Sequence, residues 1–300
     1  MSNLPIKKVL IAGATGYLGK YVTKEFKKRG YWVRILVRRK SLKKLEEVGP
    51  FLQPSIQQYV DDIFIGEITD IQTLKDLCED IDIVFSSVGI TRQRDKFSFM
   101  DVDYCGNKNL LELSLKSDVK KFIFVSVFNA YLFSDLEIAK AREKFVEDLR
   151  SSGIEYAIIR PTGYFSDVTE FLKMALSGRV YLIGKGENKL NPIHGADLAE
   201  VCVNAVDDKK QEVAVGGPIV YTYREIAELA FSVIGKKPKI TTIPATLLKL
   251  IVGMIRPFNK HYHTLAKFFL IAMQNDFVAP KTGIHSLKEY YEEFLQYRNE

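Results

Sequence analysis

Residues 7 to 30 restrict the fold more than any other stretch of this 300-residue chain: an apolar run, three evenly spaced glycines and a helix-period pattern follow one another without interruption. Val9, Leu10 and Ile11 form the continuous apolar segment that a parallel strand covered on both faces requires. Gly13, Gly16 and Gly19 come next, and Leu18, Val22 and Phe26 then repeat every four residues, the period of one helix face. Gly30 stands where a helix C-terminal glycine belongs. Without a Cβ, Gly13 and Gly16 permit a tight turn and a close approach of backbone N–H groups to a phosphate, while Gly19 lets the helix lie against the strand. The helix N-terminus then faces the anion. The stretch therefore predicts a phosphate cradle; a glycine turn that binds nothing is the plainer alternative.

The remainder of the chain extends that pattern. A second strand, Tyr31 to Val37, ends in Arg38-Arg39-Lys40-Ser41. In a dinucleotide fold this position carries an Asp or Glu for the adenosine 2′-OH or an Arg for a 2′-phosphate. Arginine without a carboxylate favours NADP(H), with NAD(H) the alternative and a solvated basic helix start the bland reading. Further strands are expected at Asp62 to Gly66, Asp82 to Gly89, Lys121 to Phe128 and Tyr156 to Arg160. A helix to about Glu79, with Thr69 as its N-cap, should follow the first of these. Ser86, Ser87 and Gly89 end the second, at the sheet edge where ligands of open α/β sheets sit. A polar loop, 91 to 98, leads into a long helix holding Asp103, Tyr104, Asn107 and Asn109. Ser134-Asp-Leu-Glu137 reads as a capping box that places Lys140 in the second turn of the next helix.

This alternation demands a parallel sheet. The expected fold is α/β, a doubly wound parallel sheet over residues 1–165 with a smaller α+β annex over 166–300 packed on it. In the annex, strands are expected at Val180 to Gly184, Asn191 to His194 and Val213 to Val215, with a helix over Asp197 to Val206. Thr222-Tyr-Arg-Glu225 is a second capping box, opening a helix that ends near Gly235.

Composition narrows the function classes. The 43 Lys+Arg exceed the 37 Asp+Glu only mildly, an excess read as spread along the chain, and no basic run interleaved with aromatics points to nucleic acid. Cys78, Cys105 and Cys202 lie far apart in apolar segments and read as reduced core residues, in keeping with a cytoplasmic location. His261-x-His263 lacks the carboxylate or Cys partners of a metal site, so no metal is expected. The N-terminus has no apolar signal core, and no run reaches the roughly 20 apolar residues of a membrane span. The apolar segments 245–255 and 265–273 read as core or partner-facing helices, with peripheral membrane contact as the alternative.

Together, Gly13-Ala-Thr-Gly-Tyr-Leu-Gly19, Leu36-Val-Arg38, residues 101–111, Lys140, Arg160-Pro-Thr162 and Ile193-His-Gly-Ala-Asp-Leu-Ala199 resemble the atypical and extended short-chain dehydrogenase/reductase superfamily. The nearest likeness is to NmrA-like and divinyl-chlorophyllide-vinyl-reductase-like proteins of the Rossmann type. The resemblance implies an NADP(H)-dependent oxidoreductase in which the backbone around Thr15, Gly16, Tyr17 and Leu18 holds the pyrophosphate. It implies Arg38, with Arg39 beside it, at the 2′-phosphate, Glu67 and Ile68 at the adenine, and Ser87, Val88 and Gly89 at the ribose. Pro161 and Thr162 would border the nicotinamide.

The superfamily signature is Tyr-x-x-x-Lys, and four residues before Lys140 stands Leu136, which donates no proton. Ser126 is followed by Val127, where many members keep a second hydroxyl. Lys140 is left to hold the nicotinamide ribose or to act as general acid, against the reading of an exposed helix lysine. Tyr104, Tyr131 and Tyr164 are alternative donors, each with a structural role as the simpler reading. Three functions follow: reduction of a small molecule at a carbonyl or activated double bond, non-catalytic NADP(H) binding by a sensor or assembly factor, and sugar-nucleotide epimerisation or dehydration. Oligomeric state is left between monomer and homodimer.

Overall fold

A computed structural model describes residues 6–90, 97–255 and 260–299. The first half alternates β1 (Lys8–Ala12), α1 (Tyr17–Lys28), β2 (Trp32–Val37), β3 (Asp62–Ile65), β4 (Ile83–Ser86), α2 (Asn107–Lys116), β5 (Lys121–Val125), α3 (Glu137–Ser151) and β6 (Glu155–Pro161). There follow α4 (Phe165–Leu176), β7 (Val180–Ile183), β8 (Lys189–Leu190), α5 (Gly195–Asn204), β9 (Glu212–Val215), β10 (Tyr221–Thr222) and α6 (Tyr223–Val233). The chain ends with β11 (Ile240–Ile243), α7 (Ala245–Ile255), α8 (Lys260–Met273) and α9 (Leu287–Asn299).

Seven strands form one sheet in the order β3-β2-β1-β4-β5-β6-β9, with the reversal of order beside β1. The five pairings from β3 to β6 are parallel. Ile158 N donates to Gln211 O and Thr162 N to Val215 O, an advance in one direction that makes β9 parallel as well. Strand burial explains the apolar runs. Val9, Leu10, Ile11 and Ala12 are fully buried, whereas β3, at the edge, leaves Ile63 and Ile65 about two-fifths exposed. Beneath one face, Phe145 of α3 packs edge-on to Phe124 at 4.7 Å and tilted against Phe122 at 5.7 Å. Val22 and Phe26 of α1 are also fully buried.

The chain divides into two compact units: Met1–Val127 with Glu137–Arg160 and Leu198–Val213, and Phe128–Leu136 with Pro161–Asp197 and Ala214–Glu300. In the second, β7 pairs in parallel with β11 and β8 antiparallel with β10. The Tyr291 hydroxyl donates to Val168 O at 2.5 Å, tying α9 to α4.

Several local expectations change. Ile71–Leu74 is only a 3-10 turn, capped by Asp70 and not by Thr69: the Asp70 carboxylate accepts from Gln72 N at 3.1 Å. Lys75 then leaves the helical region with ψ 135° and Asp76 adopts φ of 62°, which stops any continuation to Glu79. The helix at 134–151 begins at Glu137, so Ser134 lies in the preceding turn, its N donating to Tyr131 O, and Lys140 falls in the first helical turn. The strand expected at Asn191 is β8, which ends at Leu190, with only an isolated bridge from Ile193 to Tyr164 beyond it. Cys78 and Cys202 are buried, but Cys105 is exposed. The box at Thr222 is present in full: Thr222 Oγ1 accepts from Glu225 N, and Glu225 accepts from Thr222 N. Most of the predicted loop at 91–98, residues 91–96, lies outside the described residues, as do residues 1–5 and the His261 side chain.

Candidate functional site

The glycine turn lies at the carboxyl end of β1, beside the reversal of strand order. Gly13 has φ 89°, a left-handed conformation that strains any residue with a Cβ. A methyl there would also meet Ser87 Oγ at 2.8 Å, so Gly13 sits directly against the end of β4. Gly16 N donates to Gly13 O at 2.9 Å, closing the turn, and Gly16 itself occupies the N-cap of α1 without a side-chain cap. A Cβ on Gly19 would overlap the Gly13 carbonyl, which makes this glycine the one that sets the close packing of helix on turn. Thr15, Gly16 and Tyr17 thus bring the first N–H groups of a 12-residue helix to the sheet edge with no β-carbon at the cap. That cradle fits a pyrophosphate.

The neighbouring strand ends supply the other predicted residues. Arg38, half-buried, immediately follows β2, its carbonyl accepting from Ser41 N at 2.7 Å, and exposed Arg39 opens a 3-10 turn. Glu67 and Ile68 follow β3. Thr73 Oγ1 accepts from Glu67 N at 2.9 Å and donates to Asp70 O at 2.7 Å, while Asn109 Nδ2 donates to Ile68 O at 2.9 Å. Ile68 is buried and Glu67 half-buried. Ser87, Val88 and Gly89 follow β4, with Ser87 N bonded to Ala12 O at 3.2 Å.

What holds the 87–90 segment is a buried polar network that the sequence reading did not find. The Ser86 hydroxyl donates to Asn107 Oδ1 at 2.5 Å, and Asn107 Nδ2 donates to Asp103 O at 2.9 Å and Val88 O at 3.3 Å. Asp103, fully buried, accepts from Ile90 N at 2.9 Å through one oxygen and from Arg142 Nε at 2.9 Å through the other. Arg142 Nη1 then reaches Val125 O at 3.1 Å, at the end of β5. Burial raises the Asp103 pKa, and the Arg142 charge opposes that rise. A Cβ on Gly89 would collide with the Arg142 guanidinium and the Asp103 carboxylate. The structural reason for that glycine is therefore an ion pair. Asp103 lies in a π-helical turn, Met100–Gly106, that runs into α2 and brings Asp103 and Asn107 to the strand ends.

A second network surrounds Ser126. Its hydroxyl donates to Glu143 Oε1 at 2.8 Å, and Glu143 also receives Arg160 Nη1 at 2.7 Å and Nη2 at 2.8 Å. Burial alone would raise the Glu143 pKa; the hydrogen bonds from Arg160 and Ser126 outweigh it and hold the carboxyl below its usual value. The signal for the first network was present as polar residues at helical spacing, Asp103 with Asn107, whereas Arg142 and Glu143 are adjacent and carry no such pattern; in neither case does spacing alone say which face meets the sheet.

Lys140 is exposed on the first turn of α3, and Leu136, just before that helix, is 3 % exposed. Tyr104, another candidate donor, gives its hydroxyl to Asp148 Oδ2 at 3.0 Å; Tyr131 is exposed. Pro161 and Thr162 belong to the other unit, where Thr162 N donates to Val215 O and its hydroxyl to Asn191 O at 2.6 Å. Among the described residues, no three His, Cys, Asp or Glu side chains are grouped as a metal ion would require.

A family model described as NAD(P)H-binding matches residues 13–209. The chloroplastic divinyl chlorophyllide a 8-vinyl-reductase of Arabidopsis thaliana is 28% identical over 280 residues, which make up 86% of this chain and 65% of that protein. The chain therefore spans slightly less than two thirds of that relative. The photosystem II assembly factor Ycf39 of Synechocystis is 25% identical over 294 residues, 96% of this chain and 85% of the relative. Among solved structures, the NADPH-dependent quinone oxidoreductase QOR2 of Escherichia coli, complexed with NADPH, superposes with a TM-score of 0.72 at 17% identity, covering 96% of this chain and 99% of that one.

Proposed function

Because this chain belongs to the NAD(P)H-binding family, its model match covering residues 13–209, we propose that it is an NADP(H)-dependent reductase of a small molecule bearing an activated double bond or a carbonyl. The observation that carries the reading is the turn from Gly13 to Gly19 at the end of β1, with arginine at the end of β2 and Ser87 against Gly13. When bound, the cofactor supplies a hydride. The first-turn N–H groups of α1 bind its pyrophosphate, Arg38 and Arg39 its 2′-phosphate, Glu67 and Ile68 its adenine edge, and Ser87, Val88 and Gly89 its ribose.

Proton supply separates the two substrate classes. Leu136 offers no phenol, and the Ser126 hydroxyl is engaged with Glu143. A carbonyl oxygen would need its proton from Lys140 or from water that Lys140 orients. The carbon of an activated double bond takes a proton from water, which asks least of these side chains. Similarity to a vinyl reductase agrees with that order.

The same two residues support a second reading, a chain that holds NADP(H) without turning it over, and similarity to an assembly factor accords with it. Epimerisation or dehydration of a sugar nucleotide fits least, since it leans on the missing tyrosine. Contact with a membrane or another protein falls to residues 245–273, as a monomer or a homodimer. The thiols of Cys78, Cys105 and Cys202 suit a reducing, cytoplasmic setting.

Titration with NADPH and NADH side by side tests the cofactor. Arg38→Ala should weaken NADPH about tenfold or more and move NADH little, because a charge-assisted contact is lost. Equal affinities for the two cofactors, unmoved by the substitution, would reject NADP(H) selectivity. A panel of enones and carbonyl compounds then tests turnover: Lys140→Ala should abolish NADPH consumption with the carbonyl compounds and spare more of it with the enones, while keeping the fold. Tight binding with no consumption across the panel would leave the non-catalytic reading.

A further inference from the structure

The mild positive charge of this chain is not spread along it. From residue 229 to residue 275 the sequence holds Lys236, Lys237, Lys239, Lys249, Arg256, Lys260 and Lys267, and no Asp or Glu. Setting those seven aside leaves 36 Lys and Arg against 37 Asp and Glu in the rest, so the whole net charge of +6 belongs to this stretch. Lys236, Lys237 and Lys239 are exposed, on the connection into β11. The same stretch contains α7, of whose residues only Val252 is buried.

On α7, Leu247, Leu250, Ile251 and Met254 are 48%, 63%, 39% and 56% exposed. Their spacing of three, one and three residues sets them on one helical stripe. Phe269 of α8 is 47% exposed. Between α7 and α8 a cavity of about 410 Å³ is lined by Val252, Leu270 and Ile271 together with Lys249, His263 and Lys267, and by no carboxylate. Among the described residues, Asp135, 82% exposed, pairs with Lys267 at 3.5 Å, and exposed Asp276 follows the cavity-lining Asn275.

We propose that the α7–α8 pair seats the protein on an anionic lipid surface, the stripe Leu247–Leu250–Ile251–Met254 entering the headgroup boundary and the basic stretch facing the lipid charge. Exposed apolar side chains in a stretch with a large excess of cations are what an interfacial helix presents to anionic lipid. A second copy of the chain fits poorly, since a two-fold contact through this face would set cations against cations. The inference stands apart from the reductase reading: it requires no turnover and uses none of the cofactor residues.

Co-sedimentation of the full chain with phosphatidylcholine vesicles, with and without phosphatidylglycerol, tests it. Binding is expected only with phosphatidylglycerol and should fade as salt rises. Leu250→Glu with Met254→Glu, at exposed positions, should abolish sedimentation while circular dichroism and NADPH affinity stay unchanged. Replacing Lys249 and Lys267, which line the cavity between α7 and α8, by Gln should weaken it on the order of 25-fold, about fivefold for each cation near the surface. No binding at low salt, equal binding to neutral vesicles, or binding indifferent to the Glu pair would each overturn the proposal. So would a protein complex, with itself or with an acidic partner, that the Glu pair dissolves when no vesicle binding occurs.

Discussion

Single glycines carry different duties in this chain, and substitution separates them. Gly19 has no room for a Cβ because the Gly13 carbonyl occupies the place. Gly19→Ala should destabilise the first unit by about 1–3 kcal/mol through overpacking and reduce NADPH affinity with it. A urea melt read beside a binding titration checks both. Gly30, whose Cβ would meet nothing within 4 Å, tests the contrast: its φ of 83° makes alanine strained there too, but NADPH affinity should hold. At Gly89 the obstacle is the Arg142–Asp103 pair, so the same residue type serves an ion pair in one place and helix packing in another.

At the scale of elements, Arg142 and Glu143 tie α3 to the ends of the neighbouring strands. Arg142→Leu would strand the buried Asp103 carboxylate, and the expected cost is about 3–5 kcal/mol, since an unpaired buried charge loses its compensation. Adding Asp103→Asn should recover part of that loss. A double-mutant cycle of urea midpoints measures the coupling, and additivity of the two changes would show that the pair does not act as a unit. In the other unit, Thr222→Ala removes an N-cap whose partner bonds are both formed. The loss should be about 1 kcal/mol, visible as a lower thermal midpoint with the cofactor affinity unchanged.

For the whole molecule, pH acts through His194. Burial, helped by neighbouring His285 and opposed by Asp197, lowers its pKa from 6.5 to about 4, so the folded state keeps it neutral where the unfolded chain is already protonated. The unfolded state then binds more protons between these values, and stability falls as pH drops from 6.5 towards about 4. At about 1.36 kcal/mol per pH unit the loss is on the order of 3 kcal/mol. Urea midpoints at neutral and mildly acid pH should show this decline, and His194→Asn should flatten it; an unchanged slope would remove His194 as its source. Cofactor acts in the opposite sense: NADPH at a hundredfold excess over Kd should add about 2.7 kcal/mol and raise the melting temperature of the unit that binds it.

The sheet, the turn and the positions of the predicted cofactor residues along the chain could be read from the sequence, because they rest on local rules. A buried parallel strand needs an unbroken apolar run, a turn against a phosphate needs glycine, and a helix face needs its four-residue repeat, as Val9 to Phe26 display. The capping box at Thr222 was equally readable, each partner being three residues from the other. The box at Ser134 and the helix after Thr69 were misread because local patterns compete. Asp70 took the cap, and extended Lys75 with left-handed Asp76 ended the turn. Only tertiary structure decided what Asp103, Asn107, Arg142 and Glu143 do, since a helix repeat sets which residues share a face but not what that face meets. It also decided that Leu136 is packed away, Lys140 stands in solvent and the apolar stripe of α7 stays uncovered. Burial is settled by what packs alongside, and for these residues the neighbours come from distant parts of the chain.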